Sequence, residues 1–116
     1  MHSQSAHDFH RRRQASLLQR REDARLEWLG RTREAIKAIA PNYPALQRVA
    51  LFGSVVKTSR FHDRSDIDVA VVCTDVEQES LFWRALEQTL RRDVDVRPMV
   101  GPVAQAVQQH GEVIYG

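Results

Sequence analysis

The segment LFGSVVKTSRFHDRSDIDVAVVC, residues 51–73, joins two apolar runs through a polar connection. RVALF (48–52) is predicted to be a buried strand, and IDVAVVC (67–73) a second strand rich in β-branched residues. Gly53 and Ser54 follow the first strand directly. Glycine lets the backbone come close to a ligand, serine adds a hydroxyl, and a helix beginning here would offer free N–H groups to an anion. The turn is therefore a candidate phosphate-binding site.

The second predicted strand carries an acidic pair at its start, Asp66 and Asp68. Side chains two residues apart in a strand project from the same face, so both carboxylates point the same way. Two like charges this close repel each other, and a divalent cation can hold both ionised. Magnesium prefers oxygen ligands and leaves positions open for substrate phosphates. The pair therefore predicts a magnesium site.

A third carboxylate, Asp95, lies near the start of another predicted strand, VDVRPM (94–99). If this strand pairs beside the second one, Asp95 lies on the face that carries Asp66 and Asp68. Three acids could then hold two metal ions, which stabilise the attacking oxygen, the transferred phosphorus and the departing pyrophosphate. Asp93 lies on the same face by parity and is the alternative third ligand.

Each of these residues also has a purely structural interpretation. Ser54 could be a helix N-cap, and Asp95 could form a salt bridge with Arg92 or Arg97. The acidic pair could mark a solvent-facing strand end without a ligand. The purely structural interpretation is the less favoured one, because it must hold for all of these residues at once. They occur in the order of the motif, and each lies at a strand edge.

The remaining elements complete an α/β (α+β) pattern. Residues 1–14 are predicted to be a flexible basic arm, followed by a single domain over 15–116. Apolar spacing predicts a long N-terminal helix over 15–40, broken or unbroken at Gly30, which ends before two prolines. Further predicted elements are a helix over 79–92, a helix over 102–109 and a strand over 112–115. We therefore expect a mixed β-sheet with helices packed on it.

Length and composition exclude several classes of protein. A chain of 116 residues has room for one domain. It contains no run of about 18 apolar residues and no apolar stretch behind its N-terminus, so we expect neither a membrane helix nor a secretory signal. Cys73 is the only cysteine, which excludes an internal disulfide and agrees with a cytoplasmic location. A P-loop kinase is excluded because its glycine-lysine pattern is absent.

Charge is distributed unevenly along the chain. Residues 1–37 hold nine Lys and Arg against five Asp and Glu, whereas residues 38–116 hold eight against ten. Such a basic segment is more often an exposed helix than a nucleic-acid site. Nucleic acid is therefore not the expected partner, and its binding by the basic arm on a sheet scaffold stays open as a further class of function.

Taken together, these motifs resemble the minimal nucleotidyltransferases of the DNA polymerase β superfamily. That family has an h-h-G-S turn, a linker, a D-h-D-h strand and a later h-D-h strand. Here they correspond to LFGS (51–54), SDIDV (65–69) and VDV (94–96), with the family's closing G-x-x-h-Y ending at residues 111–115. The resemblance covers about residues 45–115.

The resemblance implies a nucleotidyltransferase fold and a magnesium-dependent transfer of a nucleoside monophosphate, AMP from ATP, to a hydroxyl group. It implies an acceptor on a partner macromolecule, since small members of the family sit beside HEPN-type toxins and some act as antitoxins by adenylylating them. The implied roles are triphosphate binding and metal binding, with the third carboxylate as base for the acceptor. The triphosphate residues are Gly53, Ser54 and Lys57, and the catalytic and metal-binding residues are Asp66, Asp68 and Asp95.

The chain departs from the family pattern after the glycine and serine. Family members continue with a basic residue and a glycine, as in G-S-x-A-R-G, whereas this chain continues VVKT (55–58). Lys57 then replaces the arginine as a point charge without its bidentate fork. The alternative function is therefore a catalytically weak or inactive module that neutralises a partner protein by binding. A homo-oligomer also stays open.

Overall fold

A computed structural model describes the chain from residue 2 to residue 116, and its side chains from residue 5 onward. The α-helices and strands follow one another in the predicted order, which is helix, strand, strand, helix, strand, helix, strand. The helices are α1 (His2–Ile39), α2 (Val76–Leu90) and α3 (Gly101–His110), and the strands are β1 (Leu46–Phe52), β2 (Ile67–Cys73), β3 (Val94–Pro98) and β4 (Glu112–Tyr115). Short 3-10 helices follow α1 and β1, at Ala40–Asn42 and Gly53–Val56.

The four strands form one mixed sheet in the order β3-β2-β1-β4. β2 runs parallel to β3, whereas β1 is antiparallel to both β2 and β4. Residues 49–51 in β1 and 69–71 in β2 are all buried, although successive strand residues face opposite sides. Both faces of the sheet centre are therefore covered, and the expected α/β class with a mixed sheet is confirmed.

Helix α1 differs from the prediction at its N-terminal end. It begins at His2 and continues without a break through Gly30, so residues 2–14 are helical where a flexible arm was expected. The physical reason is that the chain has no proline before Pro41, while arginine, glutamine, alanine and leucine all favour a helix. Met1 lies outside the described residues. Within them, none of the helices has the length and apolar composition that crossing a membrane requires.

Helix α2 begins and ends earlier than the predicted 79–92. The carboxylate of Asp75 accepts a hydrogen bond from the backbone N–H of Gln78 at 3.2 Å, which caps the first turn. Arg91 adopts a left-handed conformation with φ of 52° and ends the helix. Arg91 and Arg92 therefore follow the helix instead of closing it, and this frees Arg92 for the role described below.

Candidate functional site

Strands β2 and β3 bring two of the predicted carboxylates side by side. In their parallel register Asp68 is the direct partner of Asp95, between buried neighbours such as Ile67 and Val94. Partners in a register share a face of the sheet, so both carboxylates project from the same side. The expectation that the third strand pairs beside the second is confirmed.

The other two acids lie at the edge of the same site. Asp66 and Asp93 are exposed and precede β2 and β3 by one residue each. The backbone N–H of Ile67 donates to the carbonyl of Asp93 at 3.2 Å, which keeps the two strand entrances together. Both acids line an open cleft of about 460 Å³ beside Trp28. Asp93 therefore stays an alternative ligand.

Electrostatics indicate that three carboxylates interact. Burial raises the pKa of Asp68 above its ordinary value, and the negative charges of Asp95 and Asp66 raise it further. The positive charges of Arg97 and Lys57 act in the opposite direction. The site thus holds more negative charge than its own cations neutralise around Asp68, which is the condition that favours a bound cation.

The turn after β1 is in direct contact with Asp68. Gly53 has a φ of +74°, and a Cβ atom at this position would overlap the Oδ2 atom of Asp68. Phe52, the residue before it, is the register partner of Asp68 in the β1–β2 ladder. Only glycine combines this backbone conformation with so close an approach. The glycine of the motif is therefore explained by the structure itself.

The residues after Gly53 form a single 3-10 turn. The backbone N–H of Lys57 donates to the carbonyl of Ser54 at 3.1 Å, and the side chain of Lys57 is exposed. Its positive charge lowers the pKa of both Asp68 and His110. The charge of Lys57 therefore reaches the carboxylates from the side of the turn.

His110 is a member of this site that sequence reasoning missed. The backbone N–H of Gly53 donates to its Nε2 atom at 3.2 Å. Burial lowers the pKa of His110, and Lys57 lowers it further, so the neutral acceptor form is favoured. The only sequence signal is its position just before Gly111, which predicts a helix end and not a contact 57 residues away.

The third carboxylate forms an ion pair with a residue of its own strand. Asp95 Oδ2 accepts a hydrogen bond from Arg97 Nε at 2.8 Å, one of the two ion pairs considered as its structural interpretation. Among the side chains of residues 5–116, no group of three or more His, Cys, Asp and Glu residues is placed to hold a metal ion. The carboxylates share a face without converging on one point.

Arg92 fixes the loop that leads into Asp66. Its guanidinium lies 4.7 Å from the ring centroids of both Trp28 and Phe61. From there it donates to the carbonyl of Ser65, through Nε at 3.1 Å and through a second nitrogen at 2.6 Å. It also donates to the carbonyls of residues 62 and 63. The loop before the acidic pair is therefore tied to α1 through one side chain.

Replacing Arg92 by alanine is expected to lower the free energy of unfolding by about 2 kcal/mol, because both cation–π contacts and the carbonyl hydrogen bonds are lost. Urea denaturation measures this. Arg84→Ala is the matched control, since Arg84 is exposed on α2 and its loss should change stability by less than about 0.5 kcal/mol. Equal unfolding midpoints for the two variants would contradict the role given to Arg92.

Comparison with known protein families matches most of the chain to one family. The family described as polymerase beta nucleotidyltransferase matches residues 34–116, which include the four described strands, the Gly53 turn and all the acids of the candidate site. The first 33 residues, most of α1, lie outside this match.

Individual relatives agree with this assignment. The protein adenylyltransferase MntA of Shewanella oneidensis is 33% identical over an alignment of 87 residues, which covers 70% of this chain and 62% of MntA. A crystal structure described as a toxin-antitoxin with AMP-PNP has a TM-score of 0.60 and 28% identity, covering 72% of this chain and 73% of that chain. A tri-AMPylated S. oneidensis HEPN toxin in complex with MNT antitoxin has a TM-score of 0.52 and 28% identity, covering 74% and 70%.

The matched region spans less than two thirds of the length of MntA. The family match covers well over half of this chain, and the strand register and the glycine turn agree with it. The chain belongs to the polymerase beta nucleotidyltransferase family.

Proposed function

We propose that this protein transfers AMP from ATP to a hydroxyl group of a partner protein, and that the partner is a HEPN-type toxin which it neutralises as an antitoxin. The observation that carries the proposal is the contact of the Gly53 turn with Asp68, itself paired with Asp95 across β2 and β3. MntA is a protein adenylyltransferase, and the related complexes contain a HEPN toxin or AMP-PNP. The proposal places the reaction in the cytoplasm.

The turn after β1 is proposed to hold the triphosphate. Gly53 lets the backbone of the turn lie directly against the proposed metal-binding carboxylate of Asp68. Ser54 supplies a hydroxyl, and the 3-10 turn supplies backbone N–H groups. Lys57 adds an exposed positive charge, which lowers the pKa of Asp68. This arrangement accepts an anion without requiring a deep pocket.

Magnesium fits the donor set of this site. Asp66, Asp68 and Asp95 offer only oxygen ligands, which Mg²⁺ prefers, and the mutual repulsion at Asp68 is what a cation would relieve. We propose that these three carboxylates hold two ions, with Asp93 as the alternative ligand. Bound magnesium would neutralise charge on the phosphate oxygens and on the departing pyrophosphate. Arg97 engages only the Oδ2 atom of Asp95, so its Oδ1 atom is the oxygen that this ion pair leaves for a metal ion.

The proposed reaction exchanges one bond to the α-phosphorus for another. The acceptor hydroxyl oxygen forms a bond to the α-phosphorus, while the bond from that phosphorus to the bridging oxygen breaks and pyrophosphate leaves. Asp95 takes the hydroxyl proton, the role that the family resemblance implies for the third carboxylate, and it lies beside Asp68 in the register of β2 and β3. Lys57 stabilises the charge that develops on the phosphates.

A second candidate function is a module that neutralises its partner by binding, with little or no turnover. The Asp95–Arg97 ion pair favours it, because in this conformation the acids do not converge. The two candidates differ in whether the partner becomes covalently modified.

The test is incubation of the protein with magnesium, ATP labelled at the α-phosphate, and the S. oneidensis HEPN toxin as acceptor. The proposal predicts that the label appears on the toxin, and that ATP labelled at the γ-phosphate leaves the toxin unlabelled. A tight complex without label, formed by a protein that binds ATP, would contradict transfer and favour the binding module.

A further inference from the structure

The N-terminal half of α1 extends away from the rest of the protein. In residues 5–21, here called the projecting segment, every side chain is exposed. The first hydrogen bonds from α1 to the β1–β2 connection come from Glu22, which accepts from the Ser59 N–H at 3.4 Å, and Arg25, which donates to the Val55 carbonyl at 3.1 Å. A helix of 17 residues spans about 25 Å, in a molecule that measures 65 × 27 × 17 Å.

The projecting segment is strongly basic and lacks internal compensation. It holds five arginines, at positions 11–13, 20 and 21, against one acid, Asp8. Among the residues that the structure describes, none of these arginines forms an ion pair. The positive end of the helix dipole adds to this charge, since the first turn carries no acidic residue. The segment therefore favours an anionic ligand.

The arginines of the projecting segment are distributed around the helix and do not lie on one face. Successive helical residues project about 100° apart, so the arginines at 11–13 point to three sides. The exposed apolar residues also diverge, because Leu17 and Leu18 lie about 80° and 180° around the helix from Phe9. A helix that docks in a protein groove or on a membrane carries one apolar stripe. Pairing with a second copy would place like charges together.

We propose that the projecting segment binds duplex DNA by lying in the major groove. A helix with side chains is about 10–12 Å across, and the major groove of B-form DNA is about 12 Å wide. Both walls of that groove are lined with phosphates, which matches arginines on several sides of one helix. The family match begins at residue 34, so this activity lies outside the part of the chain that the family explains.

One helix making phosphate contacts should bind without sequence preference and with strong salt dependence. We expect a dissociation constant on the order of 10⁻⁵ M at about 50 mM salt. Fluorescence anisotropy of a labelled duplex of roughly 20 base pairs, titrated with the full chain, measures it. Replacing the arginines at 11–13 by glutamine should weaken binding at least tenfold and reduce the salt slope by roughly 2.7, at about 0.9 per phosphate.

The control is a triple glutamine variant that removes the same charge from other exposed arginines, and it should bind DNA within about threefold of the parent. These control positions are Arg48, Arg60 and Arg84. Equal loss in both triple variants would assign binding to net charge alone and overturn the proposal. So would a parent chain that leaves DNA unbound at low salt, or one that prefers duplex RNA, whose deep and narrow major groove excludes a helix.

Discussion

Replacing Gly53 by alanine is expected to lower the free energy of unfolding by about 2 kcal/mol and to weaken ATP binding. The stability loss has two causes, since alanine is strained at a φ of +74° and its Cβ would overlap the Asp68 carboxylate. Relief of that overlap moves the carboxylate from its position beside Asp95, and this is why binding should fall as well. Urea denaturation measures the first effect and calorimetry the second.

Gly30→Ala is the matched control for this substitution. Gly30 lies inside α1, and a Cβ there would have no neighbour within 4 Å. Alanine in a helix interior should therefore stabilise the protein by about 0.5–1 kcal/mol, the opposite sign from Gly53→Ala. A Gly53→Ala protein that unfolds at the same urea concentration as the parent would show that the turn is not strained by a side chain.

Replacing Asp68 by asparagine is expected to reduce AMP transfer by about 10²–10³-fold while making the protein more stable. The pKa of Asp68 is raised above its ordinary value of 3.8, first by burial and then by repulsion from Asp95 and Asp66. The folded protein thus binds this proton more tightly than the unfolded chain does. This proton binding contributes to the free energy of unfolding. The contribution is fully present below pH 3.8 and is lost as the pH rises through the folded-state pKa of Asp68.

At neutral pH the charge of Asp68 therefore opposes folding, and asparagine removes that cost. We expect the free energy of unfolding to rise by only about 0.5 kcal/mol, because the side chain is half-buried and water screens the repulsion. Unfolding at neutral and acidic pH measures the effect, and the advantage of the variant should disappear once Asp68 is protonated in the parent. If the variant were less stable than the parent at neutral pH, the charge of Asp68 would not oppose folding, and this prediction would be wrong.

The sequence predicted those parts of the fold in which local chemistry and packing agree. Residues 67–73 are mostly β-branched, with residues 67 and 69–71 buried, and the strand begins and ends there as expected. Gly53 directly follows β1, where the close approach of Asp68 requires a glycine. The glycine that defines the sequence motif is therefore also the residue that this contact requires. The same alternation of side chains placed Asp68 and Asp95 on one face before the register was known.

The missed site residues depend on contacts that are distant in sequence, whereas the wrong prediction of an arm over residues 2–14 does not. Nothing local distinguishes a frayed arm from a helix over residues 2–14, since polar helix formers suit both. His110 and Arg92 were missed as site residues because their partners, Gly53 and the loop at 62–65, are 27 or more residues away in sequence. Such contacts depend on where the ends of α3 and α2 lie relative to the sheet. The spacing of apolar residues in the sequence predicts the helices but not these positions.

Calorimetric titration of ATP into the parent protein, with magnesium and with a chelator, tests the nucleotidyltransferase site most directly. Asp68→Asn is measured beside it, with Asp23→Asn as the control, since Asp23 is exposed on α1 and contacts only Gln19 by a side-chain hydrogen bond. The account predicts magnesium-dependent binding that is lost in Asp68→Asn and kept in Asp23→Asn. A parent that binds no ATP with magnesium, or an Asp68→Asn variant that binds it equally well, would contradict the account.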